Sequence, residues 1–322
     1  AGGCFATGGT MANLSALVTA RHDANAKRTA AGLDRPARWA MVAAESAHSS
    51  VDSAARVMDV DVVLARVDGD RRLRGDAVAE AIAGRPDGTE VFAVVATAGT
   101  TNLGIVDALD GIASACADAG VWMHVDGAYG GAAMVAPSVR HRFVGIERCD
   151  SLVVDPHKWL FSPFDCAALL YRNPSIARDA HTQQAGYLEP IIDDTVWNPC
   201  DYAHVLTRRA RGMPFWFSLA VHGTDAYREA IEGTLEVARA TRELVAAADH
   251  LELIVEPELS VVAFRRSGWE RADYQSWCDR LLAEGTALLT PTTVDGGPAM
   301  RVCIINPRTT VDDLSTILAT LV

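Results

Sequence analysis

Apolar positions in this sequence fall into short continuous runs that are separated by longer stretches of helical periodicity. The run at 91–96 is continuously apolar, which is typical of a strand buried on both faces of a parallel sheet. Apolar runs at 121–125, 151–154 and 60–67 predict further strands, and the last is predicted away from the sheet edge because its alternation is weak. Helices are predicted between the runs, at 11–31, 51–58, 76–83 and 108–119. The pattern predicts an α/β fold with a mainly parallel sheet.

The periodicity changes in the second half of the chain. From 173 to 212 the sequence is polar and aperiodic, and a stretch of this length inside a compact protein is usually a functional loop or a disordered one. A long, kinked helix is predicted at 214–248, followed by strands and helices typical of a small α+β unit. We therefore expect a large domain at 1–212 and, at 213–322, the connecting helix with a small C-terminal domain.

Composition and charge narrow the class of protein. With 322 residues and 49% hydrophobic content, the chain can bury a large core. A formal net charge of −12 without a basic cluster argues against binding to nucleic acid or to anionic membranes. The seven cysteines are scattered without a C-x-x-C pair, which favours reduced thiols in the cytoplasm over a disulfide framework or zinc site. Since no apolar run approaches the roughly 18 residues of a membrane span, we expect a soluble, cytoplasmic protein without a metal.

The side chains that best indicate a type of reaction directly follow two of the predicted strands. Asp126 follows the run at 121–125, and His157 and Lys158 follow the run at 151–154. Ligands of open α/β sheets bind at the carboxyl ends of the strands, so these side chains are expected to lie together. A lysine that forms a Schiff base, with an aspartate for a pyridinium nitrogen, is the signature of pyridoxal phosphate chemistry. An aspartate and a lysine at this separation are also compatible with an ordinary structural salt bridge.

The residues around both strand ends carry a family resemblance. HVDGAYGG at 124–131 and DPHKWLFSPFDCAALL at 155–170 resemble the group II pyridoxal-phosphate-dependent amino-acid decarboxylases, and among them the aromatic-L-amino-acid branch. The resemblance runs from residue 2 to residue 322. It implies the fold type I of pyridoxal-phosphate-dependent transferases, which is aspartate-aminotransferase-like, and a homodimer with pyridoxal 5′-phosphate as cofactor. Family members carry a further segment before this point, so the chain is expected to lack an N-terminal segment.

The resemblance also implies which residues hold the cofactor. A glycine turn before a helix suits a phosphate, because backbone N–H groups and the helix dipole face the anion; a threonine there is also a common helix cap. Lys158 is implied as the Schiff-base lysine, Asp126 as the partner of the pyridine nitrogen, and His48 as the ring that stacks on the cofactor. A histidine at such a turn is also often a cap. Asp155 stands where some relatives carry asparagine, and its carboxylate beside a phosphate needs a backbone donor or water. The implied cofactor-binding set is Gly9, Thr10, His48, Thr100, Asp126, Ala128, Asp155, His157 and Lys158.

The implied activity is decarboxylation of an L-amino acid, expected to be aromatic, to the amine and CO2 through Schiff-base chemistry at Lys158. Tyr187 lies in the 173–212 stretch, which is a mobile catalytic loop in the family, and its phenol is implied to return a proton to the substrate carbon. Arg301 is implied as a contact of the substrate carboxylate. The implied catalytic residues are Lys158, His48, Tyr187 and Asp126.

Several alternatives remain open at the level of the sequence. An aldehyde synthase or an aminotransferase-type enzyme would use the same cofactor, and an inactive pyridoxal-phosphate-binding fragment would retain the same motifs. His124 shares a strand end with Asp126 and is either a support of that carboxylate or an ordinary satisfied core histidine. The side chain of the amino-acid substrate is not readable from these motifs.

Overall fold

A seven-stranded sheet forms the centre of the fold in the computed structural model, which describes residues 1–183 and 196–321. The strands are β1 (Gly2–Ala6), β2 (Arg38–Ala44), β3 (Asp61–Ala65), β4 (Thr89–Thr97), β5 (Trp122–Asp126), β6 (Ser151–Val154) and β7 (Ala167–Tyr171). Their order is β1-β7-β6-β5-β4-β2-β3, and all pairings among β2 to β6 are parallel. β7 pairs antiparallel with both β6 and β1. The mainly parallel α/β sheet predicted from the sequence is confirmed.

The positions of β4 and β3 in the sheet test two predictions about burial. β4 lies between β2 and β5, and the apolar residues Val91 to Ala96 are buried, as the continuous run predicts. The prediction that the 60–67 run avoids the edge is wrong, because β3 is the last strand of the sheet. Its Leu64 side chain is 60% exposed, which suits an edge strand with one partner.

Helices cover both faces of this sheet and divide its core in two. The helices of this part are α1 (Gly9–Ala30), α2 (Ser50–Met58), α3 (Gly75–Ala83), α4 (Leu109–Ala119), α5 (Pro156–Trp159) and α6 (Pro174–His181). Met41 of β2 packs in the core beside α1 and α2, whereas its neighbour Val42 packs in the core beside α3 and α4. Successive strand residues point to opposite faces, so a continuous apolar strand serves both cores.

A second sheet of four antiparallel strands follows the long helix α7 (Gly212–Ala246). Its elements are β8 (Leu251–Leu253), β9 (Val261–Arg266), α8 (Arg271–Ala283), β10 (Pro291–Val294), β11 (Gly297–Cys303) and α9 (Val311–Leu318). The strand order is β10-β11-β9-β8. α7 is interrupted at Gly223, whose φ of 75° lies outside the helical region, so the predicted kink is present.

The stretch at 173–212 is more regular at its start than the sequence indicates. Residues Pro174–His181 form α6, and the Asn173 side chain accepts a hydrogen bond from the Ser175 N–H at its start. The expectation of an irregular segment is therefore wrong for these eight residues, because a capping asparagine followed by a proline begins a helix here. In the two described ranges, none of the helices is long and apolar enough to cross a membrane.

Candidate active site

A cavity of about 280 Å³ opens at the carboxyl ends of the parallel strands. It lies where β5 and β6 end and where α1 begins, which is the position expected for a ligand site in an open α/β sheet. The structure brings together eight of the residues predicted from the sequence, and all eight line this cavity: Gly9, Thr10, His48, Asp126, Ala128, Asp155, His157 and Lys158.

Lys158 lies in the short helix α5, directly after β6, and its amine forms an ion pair in the cavity. Its Nζ lies 3.1 Å from Oδ2 of Asp155, and the lysine side chain is 37% exposed. His157 lies 3.4 Å from the same oxygen through its Nε2 atom. The Cys166 N–H donates to Nδ1 of His157 at 2.8 Å, so a neutral His157 carries its proton on Nε2, toward the carboxylate.

Asp155 joins the lysine to the start of α1. The Gly9 N–H donates to Asp155 Oδ2 at 3.2 Å, so this carboxylate has the backbone donor that the sequence argument required. Asp155 is 1% exposed, and its other oxygen, Oδ1, is buried without a hydrogen-bond partner among the described residues. A Cβ atom on Gly9 would lie 3.1 Å from Oδ2 of Asp155 and 3.2 Å from the Ala128 Cβ, so glycine permits this close approach.

The N-terminus of α1 is open to an anion. Gly8 is the N-cap, no side chain caps it, and the first turn carries no acidic residue. The alternative in which Thr10 acts as a helix cap is therefore wrong. Helix N-termini present backbone N–H groups and a partial positive charge, which together favour a phosphate.

Asp126 ends β5 and is held by two hydrogen-bond donors. The Ala128 N–H donates to its Oδ1 at 3.1 Å, and Nδ2 of Asn13 donates to its Oδ2 at 2.8 Å. The carboxylate is 6% exposed. These two hydrogen bonds fix the position of the carboxylate at the end of β5.

The Asn13 side chain is the centre of a buried hydrogen-bond chain. The Trp122 indole N–H can only donate, and it donates to Ser151 Oγ at 2.8 Å. The Ser151 hydroxyl then donates to Nδ1 of His124 at 2.8 Å, and Nε2 of His124 donates to Oδ1 of Asn13 at 3.0 Å. Burial lowers the pKa of His124 to about 4, against the opposing effect of Asp126, so this histidine is neutral near pH 7.

The same chain reaches His48 on the other side of Asn13. Nδ2 of Asn13 also donates to Ser50 Oγ at 2.9 Å, and that oxygen lies 2.9 Å from Nδ1 of His48. The Ser50 backbone N–H donates to the same Nδ1 at 3.1 Å, so a neutral His48 carries its proton on Nε2. His48 is exposed and lines the cavity, so this chain fixes which ring nitrogen is protonated.

Asn13 is one of the cavity-lining residues that were not predicted from the sequence. It lies four residues after Gly9, about one turn into α1, so it faces the same side of the helix as the glycine. A polar residue one turn inside a helix that starts at a ligand site was the available signal. His124 contacts Asn13 and not Asp126, so it supports the carboxylate through one intervening side chain and is also a satisfied core histidine.

Three predicted site residues are not brought to the cavity by the described part of the structure. Thr100 is buried, and its hydroxyl accepts a hydrogen bond from the Ile105 N–H at 3.1 Å, while Thr101 lines the cavity instead. Arg301 lies on β11, outside the cavity lining. Tyr187 lies outside the described residues.

The groups that line the cavity match the parts of pyridoxal 5′-phosphate. Lys158 offers an amine for an aldehyde, and Asp126 offers a carboxylate for a pyridinium nitrogen. The open start of α1 offers donors for a phosphate. The unpartnered Oδ1 of Asp155 further marks a place where a bound group would meet a buried polar atom. The residues present therefore fit this cofactor.

Comparison with protein families and curated proteins gives a consistent match. Residues 1–267 match the family model described as the pyridoxal-dependent decarboxylase conserved domain. An aromatic-L-amino-acid decarboxylase from Bacillus atrophaeus is 33% identical over 335 residues, which covers 97% of this chain and 66% of the relative. An L-2,4-diaminobutyrate decarboxylase from Rhizobium meliloti is 34% identical over 331 residues, which covers 99% of this chain and 65% of the relative. The chain thus spans just under two thirds of the length of these relatives.

Solved structures give the same fold. The crystal structure of Oryza sativa TDC with PLP and tryptamine aligns with a TM-score of 0.89 and 26% identity, over 99% of this chain and 69% of that one. The crystal structure of mouse CSAD aligns with a TM-score of 0.87 and 25% identity, over 99% of this chain and 71% of that one. The fold type I architecture expected from the sequence is confirmed by these neighbours.

Proposed function

Because this chain belongs to the pyridoxal-dependent decarboxylase family, we propose that it removes the α-carboxylate of an L-amino acid as CO2 and releases the amine. The cofactor of this family is pyridoxal phosphate. The observation that carries the proposal is that the Lys158 amine and the Asp126 carboxylate line one cavity beside the open start of α1. A structural salt bridge does not account for this arrangement, because Asp126 is bonded to Asn13 and Ala128, and Lys158 pairs with Asp155.

Each of these residues has a distinct task in the proposed reaction. When bound, pyridoxal phosphate joins amines through a Schiff base and withdraws electrons from their α-carbon. Lys158 would hold its aldehyde, the start of α1 its phosphate, and Asp126 its pyridine nitrogen. Asp126, oriented by its two hydrogen-bond donors, would pair with that nitrogen in its protonated form, in which the ring withdraws electrons most strongly.

Proton handling at the α-carbon is assigned to His48 and Tyr187. His48 presents its Nε2 proton because the Ser50 N–H occupies Nδ1, so the ring can donate to an anionic group such as the departing carboxylate. The Tyr187 phenol is proposed to return the proton to the α-carbon after CO2 leaves. In the assays below, Tyr187→Phe should shift the products from amine toward aldehyde and peroxide; an unchanged amine yield contradicts this role.

We propose an aromatic amino acid as the substrate. Several curated relatives at 32–33% identity are named aromatic-L-amino-acid decarboxylases. Relatives named for L-2,4-diaminobutyrate and histidine make those amino acids the first comparison substrates. We also propose that the active protein is a homodimer and that Arg301 contributes to substrate binding.

The test begins with the lysine. The only lysines of the sequence are Lys27 and Lys158, so borohydride reduction with the cofactor and peptide mapping give an unambiguous attachment site. We expect a saturable absorbance band near the visible range with wild type and with Lys27→Ala, and its loss in Lys158→Ala. Attachment at Lys27 alone, or substantial turnover by Lys158→Ala, would overturn the proposal.

The substrate assay follows on the same protein. CO2, amine, peroxide and keto acid are measured in parallel for tryptophan, tyrosine, 2,4-diaminobutyrate, histidine and glutamate. Equal amounts of CO2 and amine from an aromatic substrate support decarboxylation. Peroxide with an aldehyde would favour an aldehyde synthase, and keto acid without CO2 an aminotransferase-type reaction.

A further inference from the structure

Asp155 is a buried carboxylate with uneven hydrogen bonding at the start of α1. Its Oδ2 receives the Gly9 N–H at 3.2 Å and lies 3.1 Å from Lys158 Nζ and 3.4 Å from His157 Nε2. Its Oδ1 has no partner among the described residues, although the side chain is only 1% exposed. A buried acceptor without a donor is unfavourable, so a ligand or proton that satisfies Oδ1 is stabilised there.

The charged groups around Asp155 do not favour the binding of a dianion. Lys158 is the only lysine among the described residues that line the cavity, no arginine joins it there, and it is already paired with Asp155. His157 contributes a donor to the same carboxylate, while Asp126 adds a second negative charge to the cavity, whose lining also includes His48. Beyond α5, burial raises the pKa of the Cys166 thiol and the charge of Asp155 raises it further. A phosphate ester that is doubly charged above about pH 6 would therefore enter beside a carboxylate without a free cation.

We propose that Asp155 couples phosphate binding to the uptake of one proton, which is held between the phosphate and Oδ1 of Asp155. The proton comes from solvent. With a ligand that carries no aldehyde, no covalent bond changes and the Asp155–Lys158 ion pair keeps its partners. Cofactor affinity then falls as the pH rises, because the proton becomes scarce. This inference rests on the proposed function, since it assigns the phosphate of the cofactor to the start of α1.

The test uses a probe that cannot react with Lys158. The compound 4′-deoxypyridoxine 5′-phosphate carries the ring and phosphate of the cofactor but no aldehyde. Titration calorimetry at pH 8, in buffers of different ionisation enthalpy, gives the number of protons taken up on binding. We expect wild type to take up about one proton more than Asp155→Asn, and its Kd to rise about tenfold from pH 7 to pH 8. Asp155→Asn should bind the probe about tenfold more tightly than wild type at pH 8.

Two controls separate Asp155 from other effects. Asp52→Asn removes an exposed carboxylate at the start of α2 and should retain the proton uptake of wild type. The unphosphorylated probe 4′-deoxypyridoxine, bound to wild type, should take up about one proton fewer than the phosphorylated one, and this comparison holds even if Asp155→Asn does not fold. Equal uptake for both probes, or for wild type and Asp155→Asn, overturns the inference while the proposed function stands. Failure of every variant to bind the phosphorylated probe overturns both.

Discussion

Asn13 connects Asp126 with His48 through a chain of hydrogen bonds in the candidate site. Its amide accepts from His124 and donates to both Asp126 and Ser50, so all of its hydrogen-bonding groups but one lone pair are used inside the fold. Because an amide has one acceptor end and one donor end, it can be oriented in only one way here. The orientation of Asp126 and the protonated nitrogen of His48 are therefore determined together.

Replacing Asn13 by leucine tests this linkage. Leucine has a similar volume but no polar atom, so Asp126, Ser50 and the N–H of His124 would each lose a buried partner. We expect the free energy of unfolding to fall by about 2–4 kcal/mol and the affinity for pyridoxal phosphate to fall at least tenfold. Urea unfolding and absorbance titration measure both quantities. Asn25→Leu, at a half-buried position of the same helix, should change stability by less than about 1 kcal/mol; equal losses in both variants would contradict the assigned role.

His124 should make the protein sensitive to acid. Burial lowers its pKa to about 4, whereas the unfolded chain has an ordinary histidine pKa of about 6.5. Between these values the unfolded state binds the extra proton, so stability present above pH 6.5 is lost as the pH falls toward 4. From pH 7 to pH 5 the stability advantage of wild type over His124→Gln should shrink by about 2 kcal/mol in urea unfolding. A stability difference that stays constant between pH 7 and pH 5 would refute this prediction. The His141→Gln variant, at an exposed position, is the control for replacing an imidazole group.

Sequence reasoning at the residue scale succeeded where chain position alone fixes the side chain. Asp126 and Lys158 follow buried strands directly, so the strand ends deliver them to one edge of the sheet. Asn13 and Thr100 depend on which side of a helix or turn faces the site, and a shift of one residue changes that. Thr100 turned inward to bond Ile105, while Thr101 lines the cavity.

At the scale of elements, α7 contains a position where the backbone conformation requires glycine. Gly223 has φ 75° and ψ 164°, a region open essentially only to glycine, although its surroundings leave space for a side chain. Gly223→Ala should therefore lower the free energy of unfolding by about 1–3 kcal/mol through the backbone alone. Gly233→Ala in the same helix also meets open space, and without a positive φ it should raise stability by about 0.5–1 kcal/mol. Thermal unfolding of both variants tests whether the two changes in stability have opposite signs. A change of the same sign in both variants would contradict the explanation.

Most elements were predictable because each carries its own periodicity, and the errors concern relations between elements. The long helix and its kink follow from the sequence, but glycines at 212, 223 and 233 do not reveal which one interrupts it. The weak alternation of apolar residues in β3 predicts an interior position in the sheet. Its position at the edge depends on the order in which strands pair, and that order is set by packing across the whole sheet.

At the scale of the whole molecule, Glu258 connects the two sheets. It precedes β9 of the second sheet, yet its carboxylate accepts hydrogen bonds from Arg72 and from the Val106 N–H, which both belong to connections of the first sheet. Arg142 lies 3.2 Å away through Nη1. The Glu258 side chain is 9% exposed, so this contact lies inside the molecule. This contact was not predictable from the sequence, since the three partners of Glu258 are far from it along the chain and arginine is common on surfaces.

Glu258→Gln should weaken the connection between the sheets. The amide removes one charge and places a donor beside an arginine, leaving two partly buried guanidinium groups less well compensated. We expect a loss of about 2 kcal/mol in the free energy of unfolding, less than for a fully buried pair because both arginines retain some exposure. Glu256→Gln breaks a pair with Arg242 near the same loop, at a 69% exposed carboxylate, and should cost less than about 1 kcal/mol. Calorimetric scans of both variants provide the comparison, and equal losses would contradict it.

The pairing of β1 with β7 has a consequence for the order of events during synthesis. Gly2 of β1 pairs with Tyr171 of β7, so this pairing cannot form until the other strands of the described sheet have left the ribosome. At roughly 5–20 residues per second, this delay is on the order of ten seconds. Throughout that interval β1, which directly precedes α1, remains without this pairing, and until Asp155 is synthesised the Gly9 N–H cannot form its hydrogen bond to that carboxylate. The candidate cavity is thus completed late in translation, and under the proposed function pyridoxal phosphate would bind only after the central sheet has formed.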